Sequence, residues 1–114
     1  MEISALRNAE LLSPRQQQLR ELLELSEAIH DSAVRGEWSA ALPMQQTRRA
    51  AMEHFFAADC SPAEAPLVSA VIEEILQLDE QVATLLHQQR DVMLDGSIQR
   101  RRNAENLGSY LRHA

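Results

Sequence analysis

The sequence contains few aromatic residues, few glycines and no lysine. Only four of its 114 residues are aromatic and three are glycine, which disfavours sheets because strands are enriched in aromatic side chains. All eleven basic residues are arginine, so Schiff-base or acyl-transfer chemistry on a lysine is excluded. Leu, Ala, Glu, Gln and Arg dominate instead, and these residues favour helices. The composition therefore predicts an all-α protein.

Long apolar runs are absent, and there is one cysteine. Cys60 has no second cysteine in the chain to pair with, which is typical of a reducing compartment. The N-terminal residues lack a basic segment followed by an apolar run, and no eighteen consecutive residues are apolar. We therefore expect a cytoplasmic protein with no cleaved signal and no membrane insertion.

The net charge and the chain length bear on the binding partners and on the number of domains. A net charge of −6 gives a field of the wrong sign for wrapping a polyanion, so we expect no nucleic-acid partner. With 45% apolar residues, a chain of this size can bury its own core. The sequence predicts a single helical domain over residues 1–114.

The first long helix is bounded by clear signals. Ser13 is a preferred N-cap and Pro14 suits the first helical position. The helix should run to about Arg35, where Gly36 can adopt the left-handed backbone that ends a helix. Residues 1–12 have apolar residues at three-residue spacing but no cap, so we expect a helical arm that frays.

The second helix should begin just after Trp38, with Ser39 as N-cap, and end at about Asp59. That start places Pro43 in the first turn, where a missing N–H costs no intrahelical bond. We expect the apolar residues of this helix to face inward and its arginine pair to face solvent: Leu42, Met52, Phe55 and Phe56 inward, Arg48 and Arg49 outward.

A long third helix is predicted from Pro66 onward. Its apolar seam alternates spacings of four and three and has one polar position, Gln89. The seam comprises Val71, Ile75, Leu78, Val82, Leu85, Gln89 and Val92. Further apolar residues beside the seam widen the stripe, so more than one helix should pack on it.

Gly96 and Ser97 weaken the end of this helix, so residues 98–114 are predicted to form a separate, detachable helix. Because the connections between helices are short, neighbouring helices should be antiparallel. The predicted fold is all-α: an antiparallel up-and-down bundle of three long helices plus a short C-terminal helix.

Residue patterns for catalysis or metal binding are lacking. No two of the four histidines have the i, i+4 spacing that places two imidazoles on one helical face. Cys60 has no basic residue in its loop, and adjacent Glu73 and Glu74 diverge by about 100° on a helix. We expect no catalytic residue, metal or cofactor. A small helical enzyme stays a remote alternative if Arg20, Arg48 and Arg90 converge.

Three sequence elements occur in an order that resembles the FliT-type flagellar export chaperones. They are Gly36-Glu37-Trp38 before a helix with Arg48-Arg49, the stretch Leu86-His87-Gln88-Gln89-Arg90 in the long helix, and a tail from Arg102 through Ala104 to Tyr110. The resemblance covers roughly residues 13–112.

The resemblance implies a cytoplasmic chaperone that holds the flagellar filament-cap protein before export and meets the export ATPase apparatus. Some relatives also restrain a flagellar transcription activator, so a regulatory protein that antagonises this activator is the alternative. In the family, the terminal helix covers part of the partner-binding surface.

The residues themselves offer a rationale for this function. A stripe too wide for its own bundle can bury an amphipathic partner segment, or it can be covered by a second copy in a homodimer. We expect the floor of the groove at Leu78, Val82, Leu85 and Leu86, and its plug at Leu107, Tyr110 and Leu111.

Overall fold

A computed structural model describes the chain from residue 1 to residue 113, with side chains as far as residue 96. Over that range it contains four helices and no strand. The helices are α1 (Ile3–Asn8), α2 (Pro14–Val34), α3 (Trp38–Phe56) and α4 (Ala65–His113). The predicted all-α class is confirmed. The chain divides into two compact units, residues 1–83 and 84–114.

Helix α2 begins and ends where the sequence predicts. The Ser13 Oγ accepts a hydrogen bond from the Gln16 backbone N–H at 3.2 Å, and the Ser13 N–H donates to the Gln16 Oε1 at 3.0 Å. This reciprocal pair is a capping box that satisfies two otherwise unpaired N–H groups. At the other end, Gly36 has a φ of +72°, which a residue with a Cβ adopts only at a steric cost.

Helix α3 starts earlier than predicted. Its N-cap is Glu37, without a side-chain capping bond, and its first residue is Trp38, so the predicted cap at Ser39 is wrong. Pro43 is consequently the sixth residue of the helix. Because it has no N–H to donate to the Ser39 carbonyl, one intrahelical hydrogen bond is missing, and the expectation that none would be lost is wrong. The helix ends at Phe56 rather than at Asp59.

The inward face of α3 also differs from the prediction. Phe55 is fully buried and Met52 is half-buried, as expected, but Leu42 is 62% exposed and Phe56 is 47% exposed. Adjacent residues point about 100° apart, so Phe55 and Phe56 cannot both face the core. Arg48 lies seven residues before Phe55, two helical turns away on the same face, and therefore points inward. Its predicted outward position is wrong.

Residues 1–12 contain the short helix α1, which packs on the bundle. Leu6 is fully buried in the main apolar cluster. Arg7 forms ion pairs with Glu27 of α2 at 2.8 Å and with Glu74 of α4 at 4.0 Å. Arg20 donates to the Ala9 carbonyl at 2.8 Å. The short fourth helix of the fold is thus at the N-terminal end.

The main apolar cluster lies where α1, the first half of α2, the end of α3 and the start of α4 meet. Its buried members are Leu6, Leu19, Leu22, Leu23, Phe55, Leu67, Val68, Val71 and Ile75. In the second half of α2 and near the start of α3, the buried residues are Ser26, Ile29, Ser32, Ala33 and Ala41.

Helix α4 is continuous from Ala65 to His113, with no break at Gly96 and Ser97. A glycine inside a helix costs only about 1 kcal/mol relative to alanine, so one glycine need not end a long helix. The predicted separate helix over residues 98–114 is therefore not a distinct element. Whether that stretch detaches stays a prediction.

Candidate partner-binding surfaces

One end of the bundle is held together by Arg15, near the start of α2. Its Nη1 donates to the Phe55 carbonyl at 2.7 Å, and its guanidinium carbon lies 3.7 Å from the centroid of the Phe55 ring. Its Nη2 donates to the Glu64 carboxylate at 2.9 Å. A planar guanidinium can serve several acceptors at once. Arg15 therefore connects α2, the end of α3 and the turn that precedes α4.

Glu64 is fixed from its other side by the local turn. The Ser61 N–H donates to the Glu64 Oε1 at 3.1 Å, and the Glu64 N–H donates to the Ser61 Oγ at 3.2 Å. The hydrogen bond from Arg15 is the main cause that holds the pKa of the Glu64 carboxyl below its ordinary value, and the same bond raises the pKa of Arg15. The charged pair stabilises the connection between α3 and α4.

A second arginine connects three helices further along the bundle. Arg48 Nη1 on α3 donates to Asp79 Oδ1 on α4 at 2.7 Å and to the Ser26 Oγ on α2 at 3.1 Å. Ser26 is 1% exposed, and its hydroxyl donates to the Leu22 carbonyl at 2.8 Å. We call Arg48, Ser26 and Asp79 the Arg48 bracket.

Two of the predicted partner-binding residues lie in the unit formed by residues 1–83. Val82 is only 7% exposed, and Leu78 is half-buried. Both side chains are therefore largely occupied by packing within the bundle. As they stand, they offer little surface to a partner.

The other unit, residues 84–114, presents apolar side chains on α4. Leu85 is half-buried, while Leu86, Val92 and Met93 are 45%, 68% and 65% exposed. At about 100° per residue, these four lie within a stripe about 120° wide. Leu94 is 58% exposed but lies outside this stripe. We call Leu85, Leu86, Val92 and Met93 the α4 stripe.

The remaining predicted contacts, Leu107, Tyr110 and Leu111, have side chains outside the described residues. Their assignment as a plug stays a prediction.

Another exposed surface lies on α3, which the sequence predicted to be partly core. A cleft of about 650 Å³ follows this helix. Its described lining comprises Leu42, Gln45, Gln46, Arg48, Arg49, Met52 and Glu53. The lining is mixed polar and apolar rather than a continuous apolar floor.

Sequence reasoning missed the two arginine connections, although one had a visible signal. Ser61-Pro62-Ala63-Glu64 matches the Ser-x-x-Glu pattern of a capping box before an apolar run. That pattern would have marked Glu64 as structurally fixed. No comparable pattern identified Arg15 as its partner, because the two residues are 49 positions apart.

Between residues 1 and 96, no group of three His, Cys, Asp or Glu side chains is arranged to hold a metal ion. Within the same described part, none of the helices is sufficiently long and apolar to cross a membrane.

Comparison with known proteins links the chain to one family. A family model described as "Flagellar protein FliT" matches residues 16–112. Comparison with curated proteins found no match, and comparison with solved structures found none either. The matched range includes all of α3 and almost all of α2 and α4. The chain therefore belongs to the FliT family of flagellar proteins.

Proposed function

We propose that the chain is a cytoplasmic flagellar export chaperone that binds the filament-cap protein and delivers it to the export ATPase apparatus. Membership of the FliT family supports a flagellar role. The observation that carries the binding role is the α4 stripe, because three of its four large apolar side chains are about half or more exposed. Exposed apolar faces of this kind are typical of protein-interaction surfaces.

The stripe suits an amphipathic segment of a partner. Such a segment cannot bury its apolar face alone, and a helical protein can cover that face. Burial of about three large side chains contributes roughly 5–8 kcal/mol before the cost of ordering the segment. This range allows binding that is specific and still reversible during export.

Within the proposal, Leu78 and Val82 join Leu85 and Leu86 as partner contacts. These four side chains differ in accessibility: Leu86 is exposed, Leu78 and Leu85 are half-buried, and Val82 is buried. We infer that the exposed stripe makes the first contact, and that use of Val82 requires α4 to move away from its neighbours.

In the proposal, the three long helices α2, α3 and α4 form an up-and-down bundle in which each helix is antiparallel to the next. Arg15 near the start of α2 contacts Phe55 at the end of α3. Arg15 also contacts Glu64 just before α4, whereas Arg48 in α3 contacts Asp79 further along α4. These pairings support α3 running opposite to α2 and α4.

A titration with matched variants tests the binding role. We expect Met93→Asp in the full chain to weaken binding of the purified filament-cap protein at least about tenfold, because a carboxylate would be buried in an apolar contact. The control is His87→Asp, which places the same charge at an exposed position about 160° from the middle of the stripe on the same helix. Equal binding by both variants in isothermal titration calorimetry would overturn the assignment of the stripe.

The C-terminal segment is proposed to limit access to the partner-binding residues through Leu107, Tyr110 and Leu111. Deletion of residues 98–114 should then raise the affinity for the filament-cap protein in the same titration. Equal or weaker binding by the shortened chain would contradict this part of the proposal.

Co-purification from a flagellated cell distinguishes the alternative partners. Retention of the filament-cap protein or the export ATPase supports the chaperone role. Retention of a transcription-activator complex alone would favour the regulatory alternative. Sedimentation of the purified chain tests the homodimer, whose formation would cover the α4 stripe without a partner.

A further inference from the structure

Within the unit of residues 1–83, the apolar packing that holds α4 against the other helices becomes weaker along the helix. From Leu67 to Ile75, four buried apolar residues hold α4 in the main cluster: Leu67, Val68, Val71 and Ile75. Over residues 76–83, Val82 is the one buried residue, Leu78 is half-buried and Leu76 is 62% exposed. Segments with few buried apolar contacts open locally at lower free-energy cost than the core.

The Arg48 bracket contacts this weaker segment of α4 through Asp79. Arg48 is far more enclosed than its counter-ion, since its side chain is 14% exposed while that of Asp79 is 38% exposed. An enclosed charge that loses its counter-ion is costly, whereas a partly exposed carboxylate can be solvated by water. The bracket therefore favours the closed position of α4 mainly by neutralising Arg48.

We propose that the Arg48 bracket is a latch that holds residues 76–83 of α4 against α2 and α3. When the latch opens, Leu78 and Val82 become accessible while residues 65–75 stay packed in the main cluster. The use of these two residues by a partner rests on the proposed function. The latch itself does not, because it is a property of the free chain.

Amide hydrogen exchange of the free, full-length chain, followed by mass spectrometry, tests the latch. Asp79→Asn should raise exchange over residues 76–83 by about tenfold, because it leaves Arg48 without its counter-ion. Exchange over residues 65–75 should stay within about twofold of the wild type, since the apolar cluster is unchanged. The control is Glu37→Gln, which breaks the exposed Arg35–Glu37 pair and should change neither segment.

Three further variants test the cause of the faster exchange. Arg48→Met should raise exchange over residues 76–83 less than Asp79→Asn does. The Asp79 carboxylate that it leaves without a counter-ion is 38% exposed and can be solvated by water. The double variant Arg48→Met with Asp79→Asn should return exchange toward the wild type, because no enclosed charge remains. Ser26→Ala keeps the Arg48–Asp79 pair and provides a milder variant, with a rise smaller than that of Asp79→Asn confined to residues 76–83.

Three results would overturn the latch: unchanged exchange in Asp79→Asn, a uniform rise over residues 65–83, or no recovery in the double variant. A partner titration separates the latch from the proposed function. Faster exchange with higher affinity for the filament-cap protein supports both. Faster exchange with unchanged affinity supports the latch and removes Leu78 and Val82 from the proposed partner contacts.

Discussion

At the scale of single residues, arginine makes the long-range connections of the bundle. Arg7, Arg15 and Arg48 each contact two other segments of the chain. Arg15 uses three of its nitrogen atoms, with Nε and Nη2 directed at Glu64 and Nη1 at the Phe55 carbonyl. A lysine ammonium is a compact charge without this planar fork. These positions depend on arginine geometry as well as on positive charge.

The ion pair at Glu64 predicts a specific dependence of stability on pH. Because the folded-state pKa of Glu64 is lowered, the charged pair contributes fully above the ordinary glutamate pKa and is lost as pH falls through the lower folded-state value. Glu64→Gln should therefore lower the melting temperature at pH 7, and the difference from wild type should shrink by pH 3. Thermal unfolding followed by circular dichroism measures this change.

The control for this experiment is Glu21→Gln, at an exposed position on α2. We expect its melting temperature to follow that of the wild type at each pH. A Glu64→Gln deficit that stays constant from pH 7 to pH 3 would contradict the role of the charged pair.

Two adjacent phenylalanines provide a matched test of the core. Phe55 is fully buried, and Phe56 is 47% exposed, with the rings edge to face at a centroid distance of 5.0 Å. Phe55→Ala should lower the free energy of unfolding by about 3–5 kcal/mol, because it leaves a cavity in the main cluster. Phe56→Ala should cost about 1 kcal/mol or less, from loss of the aromatic contact. Urea denaturation measures both, and similar costs would contradict the assigned inward face of α3.

At the scale of helices, local capping chemistry determined which boundaries could be predicted. Ser13, Pro14 and Gly36 each fix the backbone within a few residues, and the structure confirms the ends of α2. Ser39 has the same side chain as Ser13, but it lies one residue inside α3. Helix α3 starts two residues after the turn at Gly36, and its N-cap Glu37 makes no side-chain capping bond. Residue type alone did not predict this start, because serine is the more common N-cap.

The two serines give a direct experimental comparison. Ser13→Ala removes an acceptor for the Gln16 N–H and should lower the free energy of unfolding by about 1 kcal/mol. Ser39→Ala removes no capping bond and should change it by less than about 0.5 kcal/mol. Chemical denaturation of both variants measures the difference. A larger cost at Ser39 would show that α3 is capped there after all.

The candidate surface was harder to predict than the helices. An apolar stripe identifies which residues share a face, but it does not say whether another helix covers them. The seam residues Val71 and Val92 have the same character in sequence, yet Val71 is fully buried and Val92 is 68% exposed. Arg48 presents the opposite case, because a charged residue on the inward face finds its counter-ion 31 positions away. Such partners depend on tertiary packing.

At the scale of the whole molecule, burial and charge are unevenly distributed along the chain. Every buried residue that the structure describes lies between Leu6 and Val82. Residues 1–83 contain six arginines and fourteen acidic residues, a net charge of −8, whereas residues 84–114 contain five arginines and three acidic residues, a net charge of +2. The acidic part thus contains the core described here.

This distribution predicts that residues 1–83 fold without the rest of the chain. A fragment ending at Ala83 keeps the main cluster and all three arginine connections, so it should remain helical and unfold cooperatively. Circular dichroism and thermal unfolding of the purified fragment measure this. A fragment that is helical but melts without a cooperative transition would show that residues beyond Ala83 are needed for packing.

The single tryptophan gives the bundle an internal optical reporter. Trp38 is half-buried at the first position of α3, and its Nε1 is buried without a hydrogen-bond partner among the described residues. Indole fluorescence responds to the polarity around the ring, so its emission maximum reports on the junction between α2 and α3. A blue or red shift of the emission maximum on mixing with a ligand shows that the environment of Trp38 at this junction has changed. An unchanged emission maximum indicates that the polarity around the Trp38 ring is the same with and without the ligand.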